Sequence, residues 1–271
     1  MRHKYKKQLQ LCHEAVVDVA IVGAGAAGLF AAIWAGKKVE GQSVQIAVLD
    51  SARKLGAKIL VAGGGRCNVT HCRVTEHDFA GSSPAAIRKV LRRFSVEQTV
   101  QFFADAGVEL KKEETGKLFP VSDSARTILQ ALLDQVQSVD ASITHPARVT
   151  DIDQLPCNVL TKGCNKEPRL RVVSEDGVLL ARHVIVCTGG KSLPKSGSDG
   201  SGYRLIEKLG HTISKPLVPA LVPLTLADSH WIRGLSGVTV PAAVTLSKAS
   251  GKKICTYSGS TLCTHLGLSG P

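Results

Sequence analysis

Three stretches of this chain combine residue types and spacings that could do chemistry. The first is "GAGAAG", residues 23–28, set between the β-rich run "VDVAIV" and the helix-forming "AAGLFAAIWAGK". Between a strand and a helix, GxGxxG spacing has a mechanical meaning: Gly23 permits a tight turn, Gly25 lets the backbone approach a pyrophosphate, and Gly28 lets the helix pack on the strand. The helix start then aims free N–H groups and the positive end of its dipole at the phosphates. Gly23, Ala24, Gly25, Ala26, Ala27 and Gly28 are therefore the expected phosphate loop. Asp50 ends the next apolar run, "SVQIAVLD", 22 residues beyond Gly28, where its carboxylate can accept hydrogen bonds from ribose hydroxyls. An acid there disfavours a 2′-phosphate, so NADP is not expected at this first site, while FAD and NAD both remain open.

The second stretch is "VAGGGRCNVT", residues 61–70. Folding costs the most entropy at glycine, so three in a row are tolerated where the chain must approach something closely. Thirteen residues separate Asp50 from Gly63, too few for another complete βα unit, so the chain must turn back over the crevice beyond Asp50. Gly63, Gly64 and Gly65 could lay their N–H groups along a phosphate or a flat ring. Arg66 offers a forked cation, either for a developing negative charge or for a phosphate or structural contact. Cys67 has no CxxC partner and reads as packing; Asn68 reads as a loop hydrogen-bonder. The third stretch is "THLGLSGP", in which His265 is a candidate proton donor, although a lone histidine is more often structural. "GLSGP" lacks the GxSxG spacing of a nucleophile elbow, and no Ser-His-Asp arrangement is legible.

The elements that must position these residues follow from periodicity and punctuation. "VDVAIV", the "GAGAAG" turn, its helix and "SVQIAVLD" form a βαβ unit, whose right-handed crossover places two parallel strands side by side. Helices are expected at "SPAAIRKVLRRF" and "SVEQTVQFFADAG", started by Ser83-Pro84 and by Ser95 with Gln98. "VELKKEETGKLFPV" reads as a hairpin turning at Gly116, and "SDSARTILQALLDQVQ" as a helix capped by Ser122 or Asp123. Strands are expected at "SITHPARVTDI", "RLRVVS" and "LLARHVIVCTGG", with "QLPCNVLTKGCNKEP" a hairpin or loop. From His211 the chain breaks into short apolar runs split by Pro and Gly, the pattern of a β-rich domain. The expected division is a basic tail over 1–15, a nucleotide-binding domain over 16–210 and a β-rich domain over 211–271.

Bulk properties narrow the class. With 44% hydrophobic and 21% charged residues in 271, this is an ordinary globular composition. The apolar window from Val16 is explained by strand, turn and helix rather than by a membrane span, and no signal peptide is evident. The eight cysteines (12, 67, 72, 157, 164, 187, 255, 263) show no CxxC pair and no metal-ligand spacing with His, so reduced thiols, a cytoplasmic setting and no metal are expected. The net charge of +12 is spread along the chain and aromatics are only 4%. The charge therefore suits anionic ligands better than a specific nucleic-acid partner.

"GAGAAG", "SARKLGAKILVAGGGRCNVT", "KLFPVSDSA", "VIVCTGGKSLPKSGSDGSGY", "LVPALVPL" and "TLCTHLGLSGP" together resemble the BaiN/YhiN-type FAD-dependent oxidoreductases of bacteria. The resemblance covers essentially the whole chain after the tail. It implies an α/β fold: a Rossmann-like FAD-binding domain with a parallel central sheet, followed by the start of an inserted β-rich domain. It implies FAD as cofactor, with residues 63–68 against the flavin end, Thr188, Gly189 and Gly190 closing the adenosine and phosphate side, and the Val149 backbone holding the adenine. Ser51 and Lys58, inside the second matched stretch, join that expected set. Three departures stand out: the family's "GSTGDGY" reads "GSDGSGY" here, its "LFTH" phenylalanine is Cys263, and Asp50 stands for a more usual Glu.

Family members continue past the position of Pro271, so the resemblance implies a C-terminally truncated chain. The implied reaction is hydride transfer between NAD(P)H, or an oxidisable C–H or C–N bond, and an unidentified small molecule. Some relatives reduce conjugated double bonds of steroid-like compounds and others oxidise amines. Two alternatives stand beside it: an inactive or flavin-binding-only fragment, and an FAD-dependent tRNA-modifying protein, whose mark would be a localised basic patch beside the flavin cleft.

Overall fold

The computed structural model describes residues 15–37, 43–155, 168–220 and 222–270. The chain divides into two compact units, one ending at Ile213 and the other starting at Ser214. The expected tail and most of "QLPCNVLTKGCNKEP" lie outside the described residues.

The first unit begins β1 (Ala15–Val22), α1 (Ala26–Gly36), β2 (Ile46–Leu49), α2 (Ala57–Val61), β3 (Thr70–His71), α3 (Pro84–Leu91) and α4 (Val96–Asp105). It continues with β4 (Leu110–Lys112), β5 (Lys117–Pro120), α5 (Ala125–Ser138), β6 (Ser142–Thr144), β7 (Val149–Gln154), β8 (Leu170–Ser174), β9 (Gly177–Val186) and α6 (Ser201–Lys208). Strand β1 takes in Ala15, which the expected tail had included.

The main sheet has the order β6-β2-β1-β9-β8-β7. Strands β6, β2, β1 and β9 run parallel, with Val19 opposite Ile46 and Val22 opposite Val186. Strand β2, "IAVL", is buried at every residue, as a parallel strand covered on both faces must be. Strands β8 and β7 extend the sheet antiparallel, so it is mixed, with a parallel core, rather than parallel throughout. The cause is local: Glu175-Asp176-Gly177 is a tight turn with Gly177 at φ 144°, which returns β9 directly beside β8.

The run "SITHPARVTDI", expected as one strand, is two. Pro146 cannot donate to a ladder, and the two halves part at it: β6 pairs with β2 at one edge while β7 pairs with β8 at the other. The Ala147 N–H is satisfied instead by the Asp50 carbonyl at 2.6 Å.

Cap chemistry explains the helices. The Ser83 hydroxyl accepts the Ala86 N–H at 3.3 Å to start α3. Ser95 and Gln98 form the reciprocal box that starts α4, with bonds of 3.2 and 2.8 Å. Helix α5 starts one residue after the expected caps: Ser124 is the N-cap and makes no side-chain cap bond. The other two are committed elsewhere, Ser122 to the Thr127 hydroxyl at 2.7 Å and Asp123, at φ 51°, to Lys111. Hairpin β4–β5 turns at Gly116 as expected.

Two apolar layers sandwich the sheet. On one face Ile21 and Val48 meet Leu29 and Ile33 of α1, Ile128, Leu132 and Val136 of α5, and Phe102 and Phe103 of α4. On the other, Val17, Val22, Leu49, Ile152, Val172 and Leu179 meet Leu205 of α6. Each such buried side chain contributes about 1.5–3 kcal/mol of transfer free energy, so the strand ends that carry the loops are held rigidly.

The second unit contains β10 (Leu224–Thr225), β11 (Thr239–Ser247), β12 (Lys253–Thr264) and β13 (Gly267–Ser269), an antiparallel sheet in the order β10-β13-β12-β11. Among the described residues no helix is long and apolar enough to cross a membrane.

Candidate functional site

The turn after β1 needs glycine for steric reasons at Gly23 and Gly28, and Gly25 differs from both. Gly23 sits at φ 105°, and a Cβ there would lie 2.5 Å from the Cys187 carbonyl oxygen. A Cβ at Gly28 would lie 1.7 Å from the Gly23 oxygen, so the helix could not close on the turn. A Cβ at Gly25 would meet nothing within 4 Å: this residue faces open space. Gly25 is the N-cap of α1 without a side-chain cap bond, and the first turn carries no acid. The first carbonyl-paired N–H is that of Leu29, bonded to Gly25 at 3.0 Å. The preceding amides are the orphan donors of a helix start, and with the dipole behind them they suit an anion.

Asp50 braces this turn. Its Oδ2 accepts the Ala24 N–H at 2.5 Å and its Oδ1 accepts the Ala52 N–H at 2.7 Å. Both carboxylate oxygens, expected on a ribose, are engaged by backbone, with their remaining lone pairs available to a ligand.

The turn opens onto a cavity of about 620 Å³ in the first unit, within the range of small-molecule and cofactor sites. Gly23, Ala24, Gly25, Ala26, Ala27, Asp50, Ser51, Lys58, Cys67, Asn68, Val149, Thr188 and Gly189 line it. Gly28, Gly63, Gly64, Gly65, Arg66 and Gly190 stand outside the lining.

The triple glycine has a conformational explanation. Gly63, Gly64 and Gly65 have φ of 55°, 68° and 87°, and Cys67 follows at 63°. This left-handed run is open to glycine at no steric cost. A Cβ at Gly63 would lie 2.8 Å from the Asn68 nitrogen. The loop closes through Cys67 N–H to the Ala62 carbonyl at 2.9 Å, which sets Cys67 and Asn68 into the cavity wall. Burial pushes the thiol pKa of Cys67 up, and does the same at Cys187, so both face the cavity as thiols.

Arg66 faces the hairpin. Its Nη1 bonds Glu113 at 2.5 Å and lies 3.6 Å from Asp123, while its guanidinium stands 4.1 Å from the Phe119 ring centre. The Glu113 hydrogen bond holds its pKa above the usual arginine value. His265 lies in the turn after β12 of the second unit, with its ring exposed and its carbonyl accepting Arg233 Nε–H at 2.8 Å. The cavity is lined by residues of the first unit.

Other lining residues lie outside the expected site set. Phe30, Phe94, Phe103, Ile128 and Leu132 make an apolar wall, and their helical spacing reads as core. Ser196, Gly197, Ser198 and Ser201 come from the segment after β9. Lys58 ties that segment to α2 through Ser192 Oγ at 2.6 Å. Arg148 ties it to the loop before β7 through Asp199 at 2.6 Å, and Asp199 also accepts the Ser201 N–H at 2.9 Å. Arg148 first, and the Ser201 amide after it, hold the Asp199 carboxyl far below the usual aspartate range.

The profile of the HI0933-like protein Rossmann domain matches residues 17–264 of this chain. The chain belongs to that family. It is a family of FAD-dependent Rossmann oxidoreductases of the BaiN/YhiN type. Over 254 residues the chain is 34% identical to the 3-dehydro-bile acid delta(4,6)-reductase of Clostridium scindens, an alignment covering 93% of this chain and 58% of that protein. It is 31% identical to the ribosomal RNA dihydrouridine synthase of Haemophilus influenzae, with the same coverage of 93% and 58%. The chain thus spans somewhat over half the length of these curated relatives. Among solved structures, 3-ketosteroid-delta4-(5alpha)-dehydrogenase from Rhodococcus jostii is similar at 14% identity with a TM-score of 0.48, over 72% of this chain and 54% of that one. The family's FAD suits what the residues present: an open cradle at Gly25, an acid-free helix start and an adjoining cavity of cofactor size.

Proposed function

We propose that this protein is an FAD-dependent oxidoreductase that reduces a carbon–carbon double bond conjugated to a carbonyl, with NAD(P)H as electron donor. The observation that carries the reading is the acid-free start of α1 opening onto the cavity. The two curated relatives support the reaction type, since one is named for reducing ring double bonds of a keto compound and the other for making dihydrouridine. When bound, FAD supplies the hydride chemistry.

The chain's own residues bind and shield. The amides of Gly25, Ala26 and Ala27 would hold the pyrophosphate of FAD, and Asp50 keeps their turn in shape. Val149 and Thr188–Gly189 would hold the adenosine part of FAD, and Cys67 and Asn68, across the same cavity lining, would border its ring. The apolar wall of Phe30, Phe94, Phe103, Ile128 and Leu132 offers a flat ring an apolar surface. Free Cys67, Cys72, Cys187, Cys255 and Cys263 support a reducing, cytoplasmic setting.

The test is the visible spectrum of the FAD-reconstituted protein during anaerobic NADPH addition. Retained oxidised flavin that bleaches supports the reading; protein that holds no flavin contradicts it.

A second reading places the reduced double bond in a base of RNA. The ribosomal RNA relatives favour it. Its test is digestion of RNA incubated with protein, FAD and NADPH: a nucleoside heavier by one hydrogen molecule supports it, and unchanged uridine contradicts it.

A further inference from the structure

Helix α3 buries none of its residues. Lys89, Arg92 and Arg93 follow one another at i, i+3 and i+4 along α3 and its C-cap turn, so they share one exposed face. Arg88 is taken by Glu76, with Nε–Oε1 at 2.8 Å. Among the described residues Lys89, Arg92 and Arg93 have no acidic partner. A helix C-terminus welcomes one cation for its dipole, but three adjacent ones repel each other and gain only from an anion outside the chain.

Phe94 follows these arginines directly. Its ring meets Trp34 of α1 edge-on at 5.8 Å and Phe30 at 5.1 Å. Phe30 and Phe94 line the cavity, whereas Trp34 stands 46% exposed with the Lys37 ammonium 4.3 Å from its ring centre. A half-exposed indole with the Lys37 ammonium over it, one aromatic layer from the cavity, suits stacking on bases beside a polyphosphate chain. The sequence scatters its basic residues, but the fold brings these to the cavity's aromatic wall.

We propose that α3 and the C-terminal end of α1 form a docking surface for single-stranded RNA. Lys37, Lys89, Arg92 and Arg93 contact its phosphates and Trp34 stacks on a base. The proposal rests on the RNA reading above and names the surface that would deliver the target base. A single strand fits because an unstacked base exposes its flat face, which a duplex hides. A lipid surface fits less well: Val90, 71% exposed, is the one exposed aliphatic residue of α3 beyond its alanines, too little apolar area to insert.

The test is fluorescence anisotropy of a labelled single-stranded RNA long enough to cover about 16 nucleotides, against the full chain with FAD at several salt concentrations. The triple variant Lys89→Glu, Arg92→Glu, Arg93→Glu should bind at least tenfold more weakly, with the slope of log affinity against log salt reduced by about 2. Trp34→Ala should lose roughly tenfold with the slope unchanged. The milder triple Gln variant and unchanged far-ultraviolet dichroism separate lost binding from lost folding. If the wild type binds RNA and all variants bind equally, the surface is wrong while the RNA reading survives. If the wild type binds no RNA, both fall, and binding of anionic vesicles that the Glu variant loses would assign the patch to a membrane instead.

Discussion

The Asp50 carboxylate accepts the Ala24 N–H at 2.5 Å, joining the end of β2 to the turn after β1 across 26 residues. A charged acceptor on a backbone donor contributes about 1.5–3 kcal/mol, and here it holds the turn whose amides face the cavity. Asp50→Ala should weaken FAD binding by about tenfold or more, because the turn must then be ordered by the ligand itself. Flavin titration checks this, and an unchanged affinity would mean that the turn is self-sufficient.

Gly25 and Gly28 should separate binding from folding. Gly25→Val adds atoms into open space, so the apo protein should melt as the wild type does while FAD binding is lost. Gly28→Ala places a carbon 1.7 Å from the Gly23 oxygen, so it should lower the melting temperature as well. Paired thermal melts and flavin titrations distinguish the two.

Arg66 is held by Glu113 and Phe119, outside the cavity lining. Arg66→Ala should therefore loosen the hairpin, seen as a lower melting temperature, and change FAD affinity less than about twofold. A large change in flavin reduction with stability intact would return Arg66 to the reacting centre.

The Arg148–Asp199 pair should leave an acid signature. Asp199 is held far below its unfolded value, so its stabilisation is fully present above the ordinary aspartate pKa of about 3.9 and fades as pH falls through the folded value. The stability gap between wild type and Asp199→Asn should be constant near neutral pH and narrow only in strong acid. Glu76, held at about 2 by Arg88, should rise toward the ordinary glutamate range in Arg88→Ala, measured by NMR titration.

What was legible in the sequence was local. The β1-turn-α1 unit, the Ser83 and Ser95 caps and the Gly116 hairpin each depend on neighbours within a few residues, and each forms as its residues dictate. The division of "SITHPARVTDI" between opposite sheet edges depends on partners β2 and β8, which no local pattern names. Short helices α2 and α6 follow left-handed Gly56 and Gly200, residues that read as loop. At the candidate site, the glycine turn and Asp50 were visible as a pattern, whereas the apolar wall shares the spacing of ordinary core. The partners of Arg66, Glu113 and Asp123, belong to another element and could only be found by folding the chain.

The most direct test of the central claim is equilibrium binding of FAD to wild type and Gly25→Val, followed by flavin absorbance. Saturable one-to-one binding to the wild type and none to the variant, with both proteins folded, is the expected result. Equal binding by the two, or none by a folded wild type, would contradict it.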